Sequence, residues 1–272
     1  MEICKDLNES LAAVKKKSPL IHHLTNYVTV NDCANIVLAI GASPVMADDI
    51  GEVEEMVRFA SALVINIGTL NERTIESMLV AGKKAKSLGI PIILDPVGVG
   101  ATELRTRTAE RLIQDVKPDV IRGNMSEIKV LSGLNVAIKG VDSVANEENG
   151  TEIAKKLASK WCCIIAITGK TDIVSDGERV YLIENGHRIL SDVSGTGCMS
   201  TSLVGAYCGA NSDYLTATVA GIASMGLAGE AAYQSLNPQE GIGTFKARLF
   251  DAIYNLTPDS LASGGRIRCE RS

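Results

Sequence analysis

Residues 194–198 read SGTGC, and they stand where a run of small apolar residues begins. Glycines on both sides of a threonine let successive backbone N–H groups converge, and the first turn of a helix adds its positive end. Such a segment can bind a phosphate or stabilise a developing negative charge. It is not a Walker A loop, because no Lys-Ser or Lys-Thr pair follows. A tight turn before a helix has the same short pattern, so the interpretation depends on residues elsewhere in the chain.

Two carboxylates have positions suited to a metal site. Asp95 ends an apolar run directly before Pro96, and Glu127 lies three residues after Asn124. Each has an ordinary structural interpretation: Asp95 as a turn residue and Glu127 as half of an Asn-x-x-Glu capping box. The alternative is that both face one cavity and hold the Mg²⁺ of a nucleotide complex, often through water.

Arg122 and Thr168 also follow apolar runs. Arg122 either neutralises Glu127 at the surface or grips nucleotide phosphates with its planar guanidinium. The hydroxyl of Thr168 can donate a hydrogen bond to a phosphate. None of these residues is specific alone, and what links them is that each stands at the end of a predicted strand.

Those ends meet only if the strands run parallel. Apolar runs such as 62–68 (ALVINIG) lack alternation, which is typical of strands buried on both faces. Helical periods separate them, as in 30–40 and 72–88, and a glycine follows each of these two helices as a predicted end. In such sheets ligands bind beyond the carboxyl ends of the strands. We therefore expect an α/β fold with a mostly parallel central sheet flanked by helices.

The pattern changes in the second half of the chain. Residues 171–190 alternate with a period near two, and their Asp-Gly and Asn-Gly steps predict hairpins, hence antiparallel edge strands. The segment 43–47 (SPVMA) predicts a short buried strand, and everything from residue 197 onward has helical character. Since no linker or repeat interrupts the chain, we expect residues 1–272 to form a single domain.

The composition of the chain limits which classes of binding partner it can have. Of the 272 residues 46% are hydrophobic, and the formal net charge of −5 argues against nucleic acid or an anionic membrane as the main partner. No segment resembles a leader peptide or a membrane span, so we expect a cytoplasmic protein. Seven cysteines without a CxxC pair indicate reduced thiols, with Cys162 and Cys163 as small buried residues. His22 and His23 are expected to pack in a strand, and His187 to be solvated.

Several segments together resemble the hydroxyethylthiazole kinase family. They include 24–28 (LTNYV), 41–47 (GASPVMA), 93–102 (ILDPVGVGAT), 121–128 (IRGNMSEI), 165–174 (IAITGKTDIV) and 194–209 (SGTGCMSTSLVGAYCG). The resemblance runs from about residue 18 to residue 250. It implies a ribokinase-like fold and phosphorylation of the alcohol of 4-methyl-5-(2-hydroxyethyl)thiazole, using ATP and Mg²⁺, in thiamine salvage.

The resemblance also implies roles for individual residues, position by position. They are substrate binding by Met46, Gly195 and Asn26, ATP binding by Arg122 and Thr168, magnesium binding by Asp95 and Glu127, and catalysis by Gly195, Gly197 and Cys198. It further implies a homotrimer with active sites at subunit interfaces. The chain departs from the family pattern at Ser194, where a threonine is common, and at Ile242, where proline is usual.

Related sugar kinases end the same loop with an aspartate that acts as general base, which raises the question of what Cys198 does. It can form a covalent intermediate, act as a weak base, or position the substrate hydroxyl and pack. Direct phosphoryl transfer needs no covalent intermediate, and its loose transition state makes little demand on a base. Charge stabilisation by backbone amides and Mg²⁺ should matter more. We therefore expect Cys198→Ser to keep measurable activity, whereas Asp95→Ala and Glu127→Ala lose far more.

Two other functions fit the same motifs less well. An ATP-dependent dehydratase of hydrated nicotinamide nucleotides needs a dinucleotide pocket, whereas the short apolar wall 42–47 (ASPVMA) favours a small ring. A non-catalytic nucleotide sensor does not need to keep Asp95, Glu127 and Arg122 together.

Overall fold

The computed structural model describes residues 2–133 and 143–271, and within them one nine-stranded sheet forms the centre of the protein. The strand order is β2-β1-β3-β4-β5-β6-β7-β8-β9; strands β1 to β6 pair in parallel, and β7, β8 and β9 are added antiparallel. The predicted mostly parallel sheet with antiparallel strands at one edge is confirmed. The strands are β1 (Leu20–Leu24), β2 (Ser43–Val45), β3 (Ala62–Asn66), β4 (Ile92–Asp95), β5 (Val120–Asn124), β6 (Ile164–Thr168), β7 (Asp172–Ser175), β8 (Arg179–Ile183) and β9 (Ile267–Arg271).

Helices cover both faces of this sheet. One buried cluster joins α1, α2 and α8 to α11 to one face, and a second joins α3 to α7 to the other. The central strands β3 and β4 are buried at every residue, which explains their continuous apolar sequence. The helices are α1 (Glu2–Lys17), α2 (Val30–Ile40), α3 (Val53–Val57), α4 (Glu72–Leu88), α5 (Glu103–Asp115), α6 (Met125–Leu131), α7 (Ser143–Trp161), α8 (Thr196–Ala210), α9 (Tyr214–Gln234), α10 (Ile242–Tyr254) and α11 (Pro258–Gly264).

Helix ends follow the local sequence closely. Gly41 and Gly89 end α2 and α4 in left-handed conformation, with φ of 97° and 69°, as their positions predict. Asn71 begins α4 with a capping box shared with Thr74. Each of these ends is set by a few neighbouring residues, which is why sequence alone locates it.

Three sequence expectations about the sheet are wrong. Strand β2 is an edge strand with Ser43 exposed and Pro44 and Val45 half-buried, because only β1 pairs with it. The Asn185-Gly186 step does not open another hairpin but leads into a 3₁₀ helix, Arg188–Asp192. The chain after residue 197 is not all helix, since β9 returns to pair with β8.

The side chain of Asn185 explains the missing hairpin. Its Nδ2 donates to Gly264 O at 3.1 Å, and its Oδ1 accepts from Arg266 N at 2.7 Å. These bonds fasten the end of β8 to the segment that enters β9, so the neighbouring position in the sheet is filled by a strand distant in sequence. Pairing across more than 80 residues leaves no local signal.

Expectations for other polar residues are partly correct. His22 and His23 are fully buried, as predicted, with His22 Nε2 bonded to Ala47 O at 2.6 Å. His187 is half-buried rather than fully solvated, and its ring stacks on Tyr233 at 3.6 Å between centroids. Cys163 is buried but Cys162 is exposed.

Helix α9 has the length and composition of a membrane span, and 83% of its most apolar window is buried inside the protein. It packs against α8 and α10, so core packing accounts for its apolar sequence.

Candidate active site

A cavity of about 720 Å³ opens beyond the carboxyl ends of β4, β5 and β6. The predicted site residues that line it are Asp95, Arg122, Glu127, Thr168, Gly195, Gly197 and Cys198. The parallel strands and the start of α8 therefore bring together residues that are up to about a hundred positions apart in the sequence.

The first turn of α8 forms one wall of the cavity. Gly195 is the residue that precedes this helix, with φ of 92° and no side-chain cap, so the leading N–H groups of the helix have no intrahelical partner. A Cβ added at Gly195 would lie 2.7 Å from Thr29 Cγ2. Both the backbone conformation and the space therefore require glycine here. Thr196 also lines the cavity, and its hydroxyl donates to Leu190 O at 2.8 Å.

Asp95 is fully buried at the end of β4. Its Oδ2 accepts from Asn66 Nδ2 and from Thr201 Oγ1, each at 2.8 Å, whereas its Oδ1 has no hydrogen-bond partner. Burial raises the pKa of Asp95 to about 6, an effect opposed by the positive charge of Arg122. One carboxylate oxygen is thus left for a ligand in the cavity.

Glu127 forms the capping box that its sequence position allowed, and it also lines the cavity. It forms the capping box of α6, with Oε2 accepting from Asn124 N at 2.8 Å and Asn124 Oδ1 accepting from Glu127 N at 3.0 Å. Its other oxygen, Oε1, accepts from Gly98 N at 2.9 Å. The same side chain lines the cavity, so its negative charge is held in place by backbone groups.

Arg122 lies between the carboxylate and the helix start. Its side chain is only 12% exposed, and its Nη1 is 4.0 Å from Asp95 Oδ1. A Cβ placed at Gly197 would be 3.0 Å from the same Nη1, so the guanidinium packs against the first turn of α8. Its Nε is buried without a partner. The interpretation of Arg122 as a surface cation that neutralises Glu127 is wrong, because the side chain is largely shielded from solvent and its close carboxylate is Asp95.

Cys198 is held as a neutral thiol. Its Sγ accepts hydrogen bonds from Asn66 Nδ2 at 3.3 Å and Asn26 Nδ2 at 3.4 Å. Burial raises the pKa of this thiol above its ordinary value, and the charge of Asp95 raises it further. This environment disfavours a thiolate and hence a role as base or nucleophile.

The residues implied in thiazole binding are less closely grouped. Asn26 does not line the cavity itself, but it reaches it through Cys198 and Asn66, with Asn26 Nδ2 to Asn66 Oδ1 at 2.9 Å. Met46 follows the edge strand β2 and is half-buried there, and the cavity formed by this chain does not include it. Within one chain, Met46 is therefore remote from the residues around Asp95.

Sequence reasoning missed several lining residues. Lys170 and Asp172 lie beside Thr168, and burial raises the pKa of Asp172 to about 7 against the opposing bond from Gly169 N–H and the charge of Arg122. His187 lines the opposite rim. The polar segment after β6 was the available signal for the first two, whereas the stacking of His187 on Tyr233 joins residues distant in sequence.

Comparison with known proteins gives one consistent result. A model of the hydroxyethylthiazole kinase family matches residues 11–259. Hydroxyethylthiazole kinase from Alkaliphilus oremlandii is 55% identical over 268 residues, covering 98% of this chain and 99% of that protein. The one from Clostridium beijerinckii is 54% identical over 272 residues, covering 98% of each chain.

Solved structures extend the comparison to the fold. A hydroxyethylthiazole kinase protein from Pyrococcus horikoshii OT3 superposes with a TM-score of 0.89 at 38% identity, covering 97% of this chain and 99% of that one. Pyridoxal kinase from Staphylococcus aureus in complex with ADP gives a TM-score of 0.65 at 13% identity, covering 93% and 98% of the two chains. The latter similarity extends the shared architecture to a wider group of kinases.

Proposed function

The chain belongs to the hydroxyethylthiazole kinase family, and we propose that it transfers the γ-phosphoryl group of ATP to the hydroxyl of 4-methyl-5-(2-hydroxyethyl)thiazole in thiamine salvage. The observation that carries the proposal is the cavity in which Arg122 and the buried Asp95 face the uncapped first turn of α8. It places a fixed cation and several free N–H donors where a phosphoryl group needs both.

The nucleotide side of this cavity is basic and polar. Arg122 supplies a planar fork of donors for phosphate oxygens, and Thr168 and Lys170 add a hydroxyl and an ammonium group on the neighbouring strand end. The Staphylococcus aureus pyridoxal kinase of the same architecture has been solved with ADP. We place ATP with its phosphates between these side chains and the start of α8.

The carboxylates fit a magnesium ion. Asp95 Oδ1 is a buried oxygen without a partner, and hard oxygen donors are the ligands that Mg²⁺ takes in proteins. Glu127 already accepts two backbone hydrogen bonds, so it would act through water. Within residues 2–133 and 143–271 no group of three or more His, Cys, Asp or Glu side chains is placed to hold a metal, which suits an ion held largely by phosphates and water. When bound, the ion would neutralise phosphate charge.

The transfer itself is direct. The substrate alcohol attacks the γ-phosphorus while the bond to the ADP oxygen breaks, and the alcohol gives up its proton late, to an oxygen of the transferred phosphoryl group. Charge grows on oxygens that face Arg122 and the N–H groups of residues 196–198. Cys198 remains a thiol held by Asn26 and Asn66, so its role is to shape the pocket beside the attacking hydroxyl. Gly195 and Gly197 act by allowing this backbone and Arg122 to approach closely.

Exposed apolar side chains support a second copy of the chain at the thiazole side. Met46 follows the edge strand β2. Tyr27 and Val28, after the neighbouring strand β1, and Phe59, after α3, expose 78%, 62% and 68% of their surface. Large apolar side chains exposed to this degree favour a protein contact. We propose a homotrimer in which Asn26 and Gly195 of one subunit and Met46 at the edge of another complete the thiazole pocket.

The trimer can be tested separately from the chemistry. Light scattering after size exclusion should give about three times the chain mass, and Met46→Ala should raise the KM for the thiazole with little change in the KM for ATP. A fully active monomer would contradict this arrangement. We further propose that residues 1–272 act as one domain in the cytoplasm.

The experiment for the activity is ATP consumption with and without hydroxyethylthiazole, in the presence of Mg²⁺. Consumption that depends on the thiazole supports the kinase. Consumption that depends instead on hydrated nicotinamide nucleotides would support the dehydratase, and binding of ATP without turnover would support a sensor.

A further inference from the structure

The short loop between β6 and β7 forms the rim of the cavity next to the nucleotide side. Thr168, Gly169, Lys170 and Asp172 all line the cavity, so almost every residue of this turn faces it. Thr168 pairs in register with Asn124 at the end of β5, which puts the loop directly beside the strand that carries Arg122. Its conformation therefore decides where Thr168 and Lys170 point.

Asp172 fixes this loop from its far end. Its Oδ1 accepts a hydrogen bond from Gly169 N at 2.9 Å and so closes a ring over residues 169–172. Gly169 and Lys170 are exposed, whereas Asp172 is half-buried at the start of β7. The bond thus joins an exposed turn to the sheet. Gly169 has a single backbone N–H, and this donor is used in the bond to Asp172.

The charge of Asp172 also belongs to this site. Burial raises its pKa to about 7, and the positive charge of Arg122 acts in the opposite direction, so the carboxyl lies within the field of that guanidinium. Asp176, at the other end of β7, makes similar bonds to the backbone, with Oδ1 accepting from Arg179 N at 2.7 Å and Glu178 N at 3.0 Å. Asp176 lies outside the cavity, which makes it a matched structural control.

We propose that Asp172 is a positioning residue for the nucleotide: by holding Gly169 N–H it sets the loop that presents Thr168 and Lys170 to the phosphates. The proposal rests on the kinase function proposed above, and it adds a residue whose side chain acts through the loop. Because the loop contacts the nucleotide side, its loss should weaken ATP binding more than it slows the transfer step.

The test compares Asp172→Ala, Asp172→Asn and Asp176→Ala. Calorimetry measures the Kd for ADP, and steady-state kinetics measures KM for ATP and kcat. We expect Asp172→Ala to raise Kd and KM about tenfold with a smaller change in kcat. Asp172→Asn should restore most of the affinity, because an amide oxygen can still accept from Gly169 N–H. Asp176→Ala should lower the melting temperature without changing either constant.

A second pair of variants removes the other partner of the same bond. Gly169→Pro deletes the donor, and Gly169→Ala keeps it; a Cβ at this residue is at least 3.6 Å from its nearest neighbour. We expect the proline variant to weaken ADP binding more than the alanine variant does. This pair also decides the question if Asp172→Ala does not fold.

The outcomes separate this inference from the kinase assignment. Unchanged ADP affinity in Asp172→Ala, or equal effects of Gly169→Pro and Gly169→Ala, overturns the role of Asp172. An Asp172→Asn variant as weak as Asp172→Ala also overturns it. If Asp172→Ala weakens ADP binding but the wild-type protein does not phosphorylate the thiazole, the role of Asp172 is supported and the proposed substrate is rejected.

Discussion

Aspartates gather at both ends of the central sheet, but their surroundings are opposite. At the amino end, Asp119, Asp176 and Asp213 line a small depression of about 270 Å³. At the carboxyl end, Asp95 and Asp172 line the large cavity. The first group is paired with cations or backbone N–H groups, whereas Asp95 Oδ1 is buried without a hydrogen-bond partner and lies 4.0 Å from Arg122.

The details explain the difference. Asp119 accepts from Lys86 Nζ at 2.7 Å and from Ile92 N at 3.0 Å, and Asp213 caps α9. Asp176 is bonded to Arg179, and its backbone and side-chain partners hold its pKa below the ordinary value despite partial burial. At Asp95, burial has the larger effect and the pKa rises to about 6. The paired acids at the amino end are expected to stabilise the fold, whereas we expect the buried carboxylate of Asp95 to lower stability in keeping with its proposed role in ligand binding.

Removing the carboxylates from the carboxyl end should have the largest effect. We expect Asp95→Ala and Glu127→Ala to lower kcat by about 10³-fold or more, since charge stabilisation contributes most of the rate in such sites. Asp119→Asn at the amino end should leave kcat within about twofold, because that carboxylate only joins Lys86 to β4. Thiazole-dependent ATP turnover at saturating substrates measures both. Equal losses of kcat in the carboxyl-end and amino-end variants would contradict the proposed difference between the two ends of the sheet.

A second contrast uses two left-handed glycines. Gly195→Ala places a Cβ 2.7 Å from Thr29 and should lower kcat by about 10²-fold by shifting the N–H groups of α8. Gly89→Ala, at the amino end, has the same backbone strain with nothing within 4 Å of the Cβ. It should lower the free energy of unfolding by about 1 kcal/mol and leave kcat unchanged. Urea denaturation and turnover separate the two effects, and a fully active Gly195→Ala protein would contradict the role of the helix start.

The pH dependence of stability should differ in sign between the ends. The pKa of Asp95 is raised to about 6 in the folded protein, so between about pH 4 and pH 6 the native state holds a proton that the unfolded chain has released. The stability that this proton contributes is lost as pH rises from about 4 to about 6. Above pH 6, Asp95→Asn should therefore be more stable than wild type, by at most about 3 kcal/mol. The measurement is urea denaturation with a chelator present, at pH 5 and pH 8.

Asp176 supplies the control for this sign. Its pKa is lowered, so its contribution to stability is present above about pH 4 and is lost as the pH falls below that value. Asp176→Asn should be less stable than wild type at pH 8. If Asp95→Asn is also less stable than wild type at pH 8, as Asp176→Asn should be, the buried carboxylate of Asp95 does not destabilise the fold.

A small effect on kcat is expected when Cys198 is replaced by serine. Since its thiol stays neutral and accepts hydrogen bonds from Asn26 and Asn66, a serine hydroxyl can take its place. Cys198→Ser should keep kcat within about tenfold of wild type, well below the loss for a general base. A folded but inactive serine variant would restore the covalent role that we consider unnecessary.

The sequence predicts the carboxyl end of the sheet better than its edges. Asp95, Arg122 and Thr168 could be grouped because each ends an apolar run, and parallel strands bring such ends together. The end of α4 at Gly89 is likewise a local signal. Strand pairing between segments distant in sequence is not predicted. Strand β9 pairs with β8, and side-chain bonds from Asn185 to residues 264 and 266 hold the chain there.

The charge state of a side chain also cannot be predicted from the local sequence. A thiol at a helix start is expected to have a lowered pKa, but burial and the neighbouring Asp95 raise that of Cys198. Asp172 escaped notice because its bond to Gly169 depends on the turn between β6 and β7, which the sequence does not define. Environment, set by the whole fold, decides what each of these residues can do.

The most direct test of the central claim is to follow the phosphoryl group itself. Wild-type protein is mixed with hydroxyethylthiazole, ATP and Mg²⁺, and ³¹P spectroscopy records the products, with Asp95→Asn in parallel. We predict one phosphate monoester of the thiazole alcohol for each ADP formed by the wild type, and none by the variant. ADP released with inorganic phosphate in place of the ester, or an ester formed equally by Asp95→Asn, would contradict the assignment of this cavity as the transfer site.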